Sequence, residues 1–452
     1  MGFISWLKGI FRKTSPLQDH EGPGALGLRK GEAPISAEPN RPIGSVSEPI
    51  SEQIILPRRQ MVVGLDFGTS STKVAYRWIG EDTATAFAPT EPYKDVPWFC
   101  LPTEIVELDG KIWMGRPTDD RTDLLSLKQR LLAGKLEGKK LVERDVCLYL
   151  AWVLEQVTRH ACRVHSIPAF RPIINVGVPM AFHNQDHASK LLCQRYRKLA
   201  GLALACTSMM GGKGIQNGLL IEDAEATLED ARSRASEFEE LVHVLPESIA
   251  AVVSYEKDRR SEPGAFGIVD IGAATTEIAV GILSYSQGMP YAQCYADSST
   301  PVGAIAFQRA ESSTNGGAHL EMLRSWWRQW DSTWTRASLK DRGIECRYQE
   351  WMAVSLFFTG GGGSHPAVKP YFAMQESPAQ LSIQTYSPGS EVLTQEAGAN
   401  GERDDFHLLA VAHGLSFHQR SEWPDWTSPA EVDVYPVDTS KEELEYTARG
   451  WV

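Results

Sequence analysis

The chain has 452 residues, 42% hydrophobic and 23% charged, which at ~150 residues per unit leaves room for about three units and a large core without disulfides or metals. Its 45 Lys and Arg against 57 Asp and Glu give a formal net charge of −12; residues 1–60 hold eight basic and six acidic side chains, so the other 392 sum to −14. That acidic body argues against a nucleic-acid groove, there is no run of some eighteen apolar residues to span a bilayer, and the seven scattered cysteines at 100, 147, 162, 193, 206, 294 and 346, with no C-x-x-C pair, read as reduced cytosolic thiols.

Met1 to Lys13 (MGFISWLKGIFRK) places Phe3, Trp6, Leu7, Ile10 and Phe11 on one side of a helix, flanked by Lys8, Arg12 and Lys13. This is the pattern of an interfacial helix, and a terminal helix docked on its own domain or on a partner protein fits it equally. Lys8 interrupts the apolar stretch and no small-residue cleavage site follows, so a secretory signal is not expected. Trp6 stands where N-myristoylation usually has Ser or Thr. Residues 14–59 turn to Pro, Gly, Ser and Glu, which predicts a flexible tether spanning roughly 35–40 Å, with order beginning near Gln60.

Met61 to Phe67 is an apolar run ending in Asp-Phe-Gly-Thr-Ser-Ser, and Lys73 to Ile79 alternates in character. Strand, tight polar turn and strand make a β-hairpin. The same grammar returns at Phe266 to Leu283 (FGIVDIGAATTEIAVGIL), which suggests two similar halves facing each other. Between the hairpins, Leu141 to His160 has helical spacing, Arg171 to Val178 reads as a strand stopped by Pro179, and His183 to Ala200 reads as a helix ended by Gly201. Glu222 to Glu240 holds eight carboxylates against Arg232 and Arg234, a solvated helix. Trp326, Trp327, Trp330 and Trp334 cover one face of a later helix, which either packs onto the core or offers a surface to a partner. Leu356 to Thr359 is a strand running into Gly360 to Gly363, and the chain after Trp423 is irregular and acidic.

A strand ending in Asp and turning through Gly-Thr-Ser-Ser offers a carboxylate for hydrated Mg²⁺ beside N–H groups and hydroxyls able to cradle phosphate. Asp66, Gly68, Thr69 and Ser70 supply these parts in the first turn; Asp270, Gly272, Ala273, Ala274, Thr275 and Thr276 do so in the second. Taken singly, each turn is also an ordinary Asp-Gly hairpin.

VVGLDFGTSSTKVAYR and FGIVDIGAATTEIAVG resemble the two phosphate motifs of the superfamily that joins DnaK-type chaperone ATPases, actin and the sugar kinases. Three more segments follow in the family's order. Glu247 to Tyr255 resembles the first connecting helix, Phe357 to Ser364 the adenosine motif, and Leu409 to Leu415 the second connecting helix. Val96-Pro97, Gly115, Leu127 to Leu131, and Val178-Pro179 with Phe182 through Leu202 bring the chain closest to the chaperone branch, from about Met61 to Phe417.

The resemblance implies an α/β fold of two ribonuclease-H-like, actin-like ATPase domains around a central nucleotide cleft. Residues 60–255 would form the first half and 256–420 the second, with a shortened subdomain and an irregular tail over 421–452. It also implies ATP and Mg²⁺ as ligands, with Asp66 and Asp270 holding the metal through water. Lys128, Glu247, Asp270 and Thr275 would be catalytic, and Gly68, Thr69, Ser70, Lys73, Gly272, Ala273, Ala274, Gly361, Gly362, Gly363, Ser364 and His365 would contact the nucleotide. Lys73 stands where actins place a phosphate-contacting lysine.

Several positions depart from the chaperone pattern. Ala273-Ala274 replaces two glycines, Glu277 replaces an aspartate, and His365-Pro366 follows Ser364 where an adenine-stacking arginine is usual. His365, or Arg324, Arg328, Arg336 and Lys340, would then face the base. About 35 residues follow the last motif, too few for a substrate-binding β-sandwich, so peptide chaperoning by that route is not expected. The function expected is slow Mg²⁺-dependent ATP hydrolysis that switches the halves, with ADP as product, an unidentified protein partner, no nucleic acid, and oligomerisation left open. The setting expected is cytoplasmic, peripheral at the inner face of the cell membrane through residues 1–13. The alternative is an actin-like membrane-associated scaffold that hardly turns over, and a small-molecule kinase lacks any sugar-binding motif.

Overall fold

Seven consecutive buried residues in Met61–Phe67 demand cover on both faces of a strand, and this strand lies inside a sheet. The computed structural model describes residues 60–89, 93, 96–115, 126–133, 139–166, 172–181, 187–210, 218–312, 317–344, 348–395 and 403–417. The helix and tether expected over 1–13 and 14–59, and the tail over 421–452, lie outside the described residues. Strand β1 (Met61–Phe67) pairs antiparallel with β2 (Ser71–Trp78), which carries β3 (Ala84–Ala86) and β4 (Cys100–Pro102) on its far side. A small ribbon of β5 (Ile105–Leu108), β6 (Lys111–Met114) and β8 (Leu219–Leu220) stands apart. On its other side β1 runs parallel to β7 (Ile173–Val178), and β7 parallel to β9 (Val242–Pro246).

A second sheet repeats the plan. Strand β10 (Gly264–Ile271) is antiparallel to β11 (Thr276–Ser286), which is antiparallel to β12 (Met289–Thr300). On the far side β10 runs parallel to β13 (Ala353–Thr359), and β13 parallel to β14 (Gln380–Thr385). The orders β3-β2-β1-β7-β9 and β12-β11-β10-β13-β14 match, with the same strand senses. Strand β15 (Leu393–Gln395) pairs with β3 in the first sheet. The range 256–420, read from the sequence as the second half, therefore also supplies an edge of the first sheet.

Helix α1 (Leu127–Ala133), α2 (Lys139–His165) and α3 (His187–Met210) belong to the first sheet's side of the fold. Tyr149, Trp152, Leu154 and Tyr196 share a core with Val63, Leu65 and Phe67. Helix α3 runs through Gly201 instead of ending there. A Cβ on Gly201 would lie 2.8 Å from Glu239 Cγ and 3.2 Å from its Cα, so this glycine marks where α3 meets a neighbouring helix. The acidic segment forms α4 (Ile221–Arg232) and α5 (Ala235–Glu239), with Ala224, Leu228, Ala231 and Phe238 turned inward. Helix α6 (Glu247–Lys257) is buried along most of its length. Then come α7 (Ala304–Ser312) and α8 (Ala318–Ile344), whose Trp326, Trp330 and Trp334 lie in the core of the second sheet with Val269, Ile278 and Val280. The Trp row therefore packs the helix onto the sheet. The four glycines form one turn, α9 (Gly360–Gly363), before α10 (Val368–Ala373). Among the described residues no helix is long and apolar enough to cross a membrane.

The last helix, α11 (Ala410–Leu415), crosses α6, and Ala250, Ala251, Val411 and Leu415 form a common cluster with Phe266 and Ile268 of the second sheet. The crossing is close enough that a Cβ on Gly414 would lie 1.7 Å from Ala250 O. Gly414→Val should therefore force the two helices apart and lower the unfolding free energy by about 3 kcal/mol or more, the upper range for overpacking. Urea denaturation checks it; an unchanged midpoint would contradict this packing.

Candidate functional site

The register of each hairpin sets which side chain faces the strand-end aspartate. In the first, Asp66 lies opposite Lys73, whose Nζ donates to Asp66 Oδ2 at 3.2 Å. In the second, Asp270 lies opposite Glu277. The two aspartates thus occupy the same position in two similarly ordered sheets, one beside an ammonium and the other beside a second carboxyl.

Lys128, from α1, donates to Glu247 Oε1 at the start of α6, 2.6 Å away with both side chains buried. Burial pushes Glu247 up to about 7 against the pull of Lys128, and Asp66 and Asp270 push the same way. Burial, then Asp66, raises Asp270 to about 6. Glu277 is driven well above the usual carboxylate range by burial, Glu247 and Asp270. For the lysines burial works the other way, yet Glu247, Tyr196, Asp66 and Glu277 hold Lys128 above its ordinary value. Asp66, Cys100 and Asp270 do the same for Lys73. Asp66, Lys128, Glu247, Asp270 and Glu277 are buried and Lys73 is half-buried, and their mutual influence places them as electrostatic neighbours around the ends of β1 and β10.

Both loops are fixed from behind. Gly68 N–H donates to Asp66 O at 3.0 Å, closing the first turn; Gly68 and Thr69 are buried and Ser70 is exposed. The first N–H groups of α7 donate into the second loop, Ala304 to Gly272 O and Ile305 to Ala273 O, each at 2.9 Å. Gly272, Ala273 and Ala274 are half-buried, and Thr275 is buried. Gly360 has φ +71, the left-handed region, and a Cβ there would lie 2.3 Å from Asp270 Oδ1. A glycine is thus required where the Gly360–Gly363 turn meets the second aspartate.

The remaining candidates lie further along that turn. Gly362 and Gly363 are buried, while Gly361 and Ser364 are exposed, and Ser364 Oγ donates to Gly361 O at 3.1 Å. His365 Nδ1 accepts from Ala367 N–H at 3.2 Å. Its ring meets Phe307 edge-on at 4.9 Å, and Phe307 stacks on Trp326 at 5.4 Å. His365 Nε2 lies 3.6 Å from Glu311. Of the basic residues considered for the base, Arg336 and Lys340 instead donate to Asp297 O and Tyr295 O of β12, and Arg324 pairs with Glu321.

Two groups complete the site beyond the motif residues. Glu277 was visible only as a departure from a pattern, although its place seven residues after Asp270, matching Lys73 after Asp66, was the available signal. Tyr196, from α3, had no signal, since its nearness to Lys128 depends on tertiary packing. Four buried carboxylates facing two ammonium groups, with Glu277 Oε2 lacking a hydrogen-bond partner, suit a cation. Among the described residues no three His, Cys, Asp or Glu side chains converge to ligate one directly. No protein-family model matches the chain, and no curated protein matches it.

The raised carboxyls set a pH dependence. A group whose folded pKa exceeds its unfolded value contributes stability that is present below the unfolded pKa and lost as pH rises through the folded one. Asp270, from 3.8 to about 6, and Glu247, from 4.5 to about 7, should make the ligand-free protein progressively less stable between about pH 4 and pH 7. Asp270→Asn should flatten that slope in denaturation curves taken across the window. A slope in the variant as steep as in wild type would contradict the burial assigned to Asp270.

Proposed function

We propose that this chain is an ATP-binding, Mg²⁺-dependent ATPase of low turnover, built from two ribonuclease-H-like halves of the actin and DnaK type, which uses the nucleotide to switch between open and closed arrangements. The observation that carries the reading is that Asp66 and Asp270, from equivalent positions of two sheets with one strand order, both bear electrostatically on the buried Lys128–Glu247 pair. Mg²⁺, when bound, neutralises charge on the polyphosphate oxygens; Asp66 and Asp270 are the residues that would hold it through water. Thr69 and Ser70 on one side, and Gly272, Ala273 and Ala274 on the other, would offer backbone N–H groups to phosphate, with Gly68 holding the first turn closed.

Glu247, pushed up to about 7 by burial, is suited to accept a proton from an attacking water. Lys128, held protonated beside it, would orient that water and the terminal phosphoryl oxygens, and the Thr275 hydroxyl would donate to the same group. Lys73 would reach phosphate from Asp66. Gly361 to Gly363, Ser364 and His365 would border the nucleoside. The product is ADP, and the output is a changed affinity for a protein partner.

A second reading, an actin-like scaffold that binds ATP and hardly hydrolyses it, is favoured by the 2.6 Å Lys128–Glu247 bond, which occupies both groups with each other. Peripheral attachment to the inner face of the cell membrane through residues 1–13 belongs to either reading.

Two sets of variants test these assignments. Asp66→Ala and Asp270→Ala should each shrink the rise in melting temperature produced by ATP with Mg²⁺, a ligand effect worth ~2.7 kcal/mol at a hundredfold excess over Kd. Equal shifts in wild type and both variants would remove the cleft. Lys128→Ala and Glu247→Gln should slow single-turnover hydrolysis by about tenfold or more with nucleotide affinity within several-fold, because positioning and charge act mostly in the transition state. A wild-type rate no faster than these variants would decide for the scaffold.

A further inference from the structure

Strand β14 is the outermost strand of the second sheet, with no pairing partner on its outer side among the described residues. The residues of the strand itself, Gln380-Leu-Ser-Ile-Gln-Thr385, carry no charge and no proline, and Lys369 Nζ donates to Thr385 Oγ1 at its C-terminal end. Gln380, Ser382, Gln384 and Thr385 are exposed, while Leu381 and Ile383 are half-buried against the core beneath the sheet. Tyr386 N–H donates inward to Phe358 O. By the alternation of a strand, Leu381, Ile383 and Thr385 therefore turn their backbone N–H and C=O groups outward.

The side chains of this edge are also palindromic in type about Ser382: Gln-Leu-Ser-Ile-Gln. A two-fold axis perpendicular to the sheet at Ser382 preserves which face each residue occupies, because paired residues then have numbers of the same parity. It sets Leu381 opposite Ile383 of the second copy, Gln380 opposite Gln384, and Ser382 opposite itself. Leu381 and Ile383, whose backbone groups point outward, become the hydrogen-bonded pairs. Ser382 becomes the non-hydrogen-bonded pair, in which Cα atoms approach to about 4.5 Å. Apolar side chains thus meet on the covered face and amides on the exposed one, with no like charges opposed. Helix α10, which packs beside β14, ends at Met374, 74% exposed and the most exposed large apolar side chain among the described residues.

We propose that the edge of β14 docks a second copy of this chain, the two β14 strands pairing antiparallel about Ser382 to join two five-stranded sheets into one. The arrangement is isologous and closes as a dimer. It is independent of nucleotide chemistry, so it stands or falls separately from the ATPase reading.

The test follows the full-length chain by sedimentation velocity across micromolar concentrations, with three kinds of variant. Wild type should show a concentration-dependent dimer. Ser382→Lys alters only an exposed position of the monomer but opposes two ammonium groups at the axis, and should raise the dimer dissociation constant by about tenfold or more. Ser382→Cys should give a disulfide-linked dimer with diamide, since ~4.5 Å between Cα atoms suits that bond. Gln380→Cys and Gln384→Cys should cross-link when mixed and not when each is alone. A wild-type chain that stays monomeric, with another segment of its own chain on the edge or with none, overturns the proposal. So does a dimer that Ser382→Lys leaves intact, or cross-linking that ignores this register.

Discussion

Four buried carboxyl groups and two ammonium groups, joined as the ion pairs Lys73–Asp66 and Lys128–Glu247, bear on one another electrostatically, and the cost of holding charge away from water governs the arrangement around them. Asp66 and Asp270 come from different sheets, Lys128 and Glu247 from different helices. The site exists only while β1, β10, α1 and α6 keep their places. The crossing of α6 and α11 at Ala250 and Gly414 ties the helix bearing Glu247 to the helix that packs on β1. Any relative movement of the two sheets would pass through this crossing, which makes it the natural pivot for the proposed switch.

The repeated hairpin is not electrostatically symmetric. Lys73 neutralises Asp66 across the first hairpin, whereas Glu277 sets a second carboxyl group beside Asp270 in the second. Glu247, Asp270 and Glu277 are the carboxyls that burial and one another push up, so an added cation stabilises their charged forms most. Under the proposed reading, the metal ion would supply the positive charge that this half of the site lacks.

Much of the architecture was legible locally. The two hairpins have an apolar run, a small-residue turn and a second run, and the local chemistry of those turns leaves few alternatives. The positions of Asp66, Lys73, Asp270 and Gly360 follow from hairpin register and strand order. Gly201 was misleading because a helix-ending glycine and a glycine at a helix crossing look alike until the neighbour at Glu239 is placed. The return of β15 to the first sheet was equally hidden: three residues carry no period, and their pairing with β3 spans some three hundred residues of sequence. Around the proposed base site, His365 is engaged by Phe307 and Ala367, a packing relation that no linear pattern encodes.

The most direct measurement of the central claim is amide hydrogen exchange with and without ATP and Mg²⁺. If one nucleotide is held between the two loops, peptides covering Asp66 to Lys73, Asp270 to Thr276 and Gly360 to His365 should all gain protection together, and the gain should require the metal. Protection confined to one loop, or the same pattern with nucleotide and a chelator, would contradict a shared metal-nucleotide site.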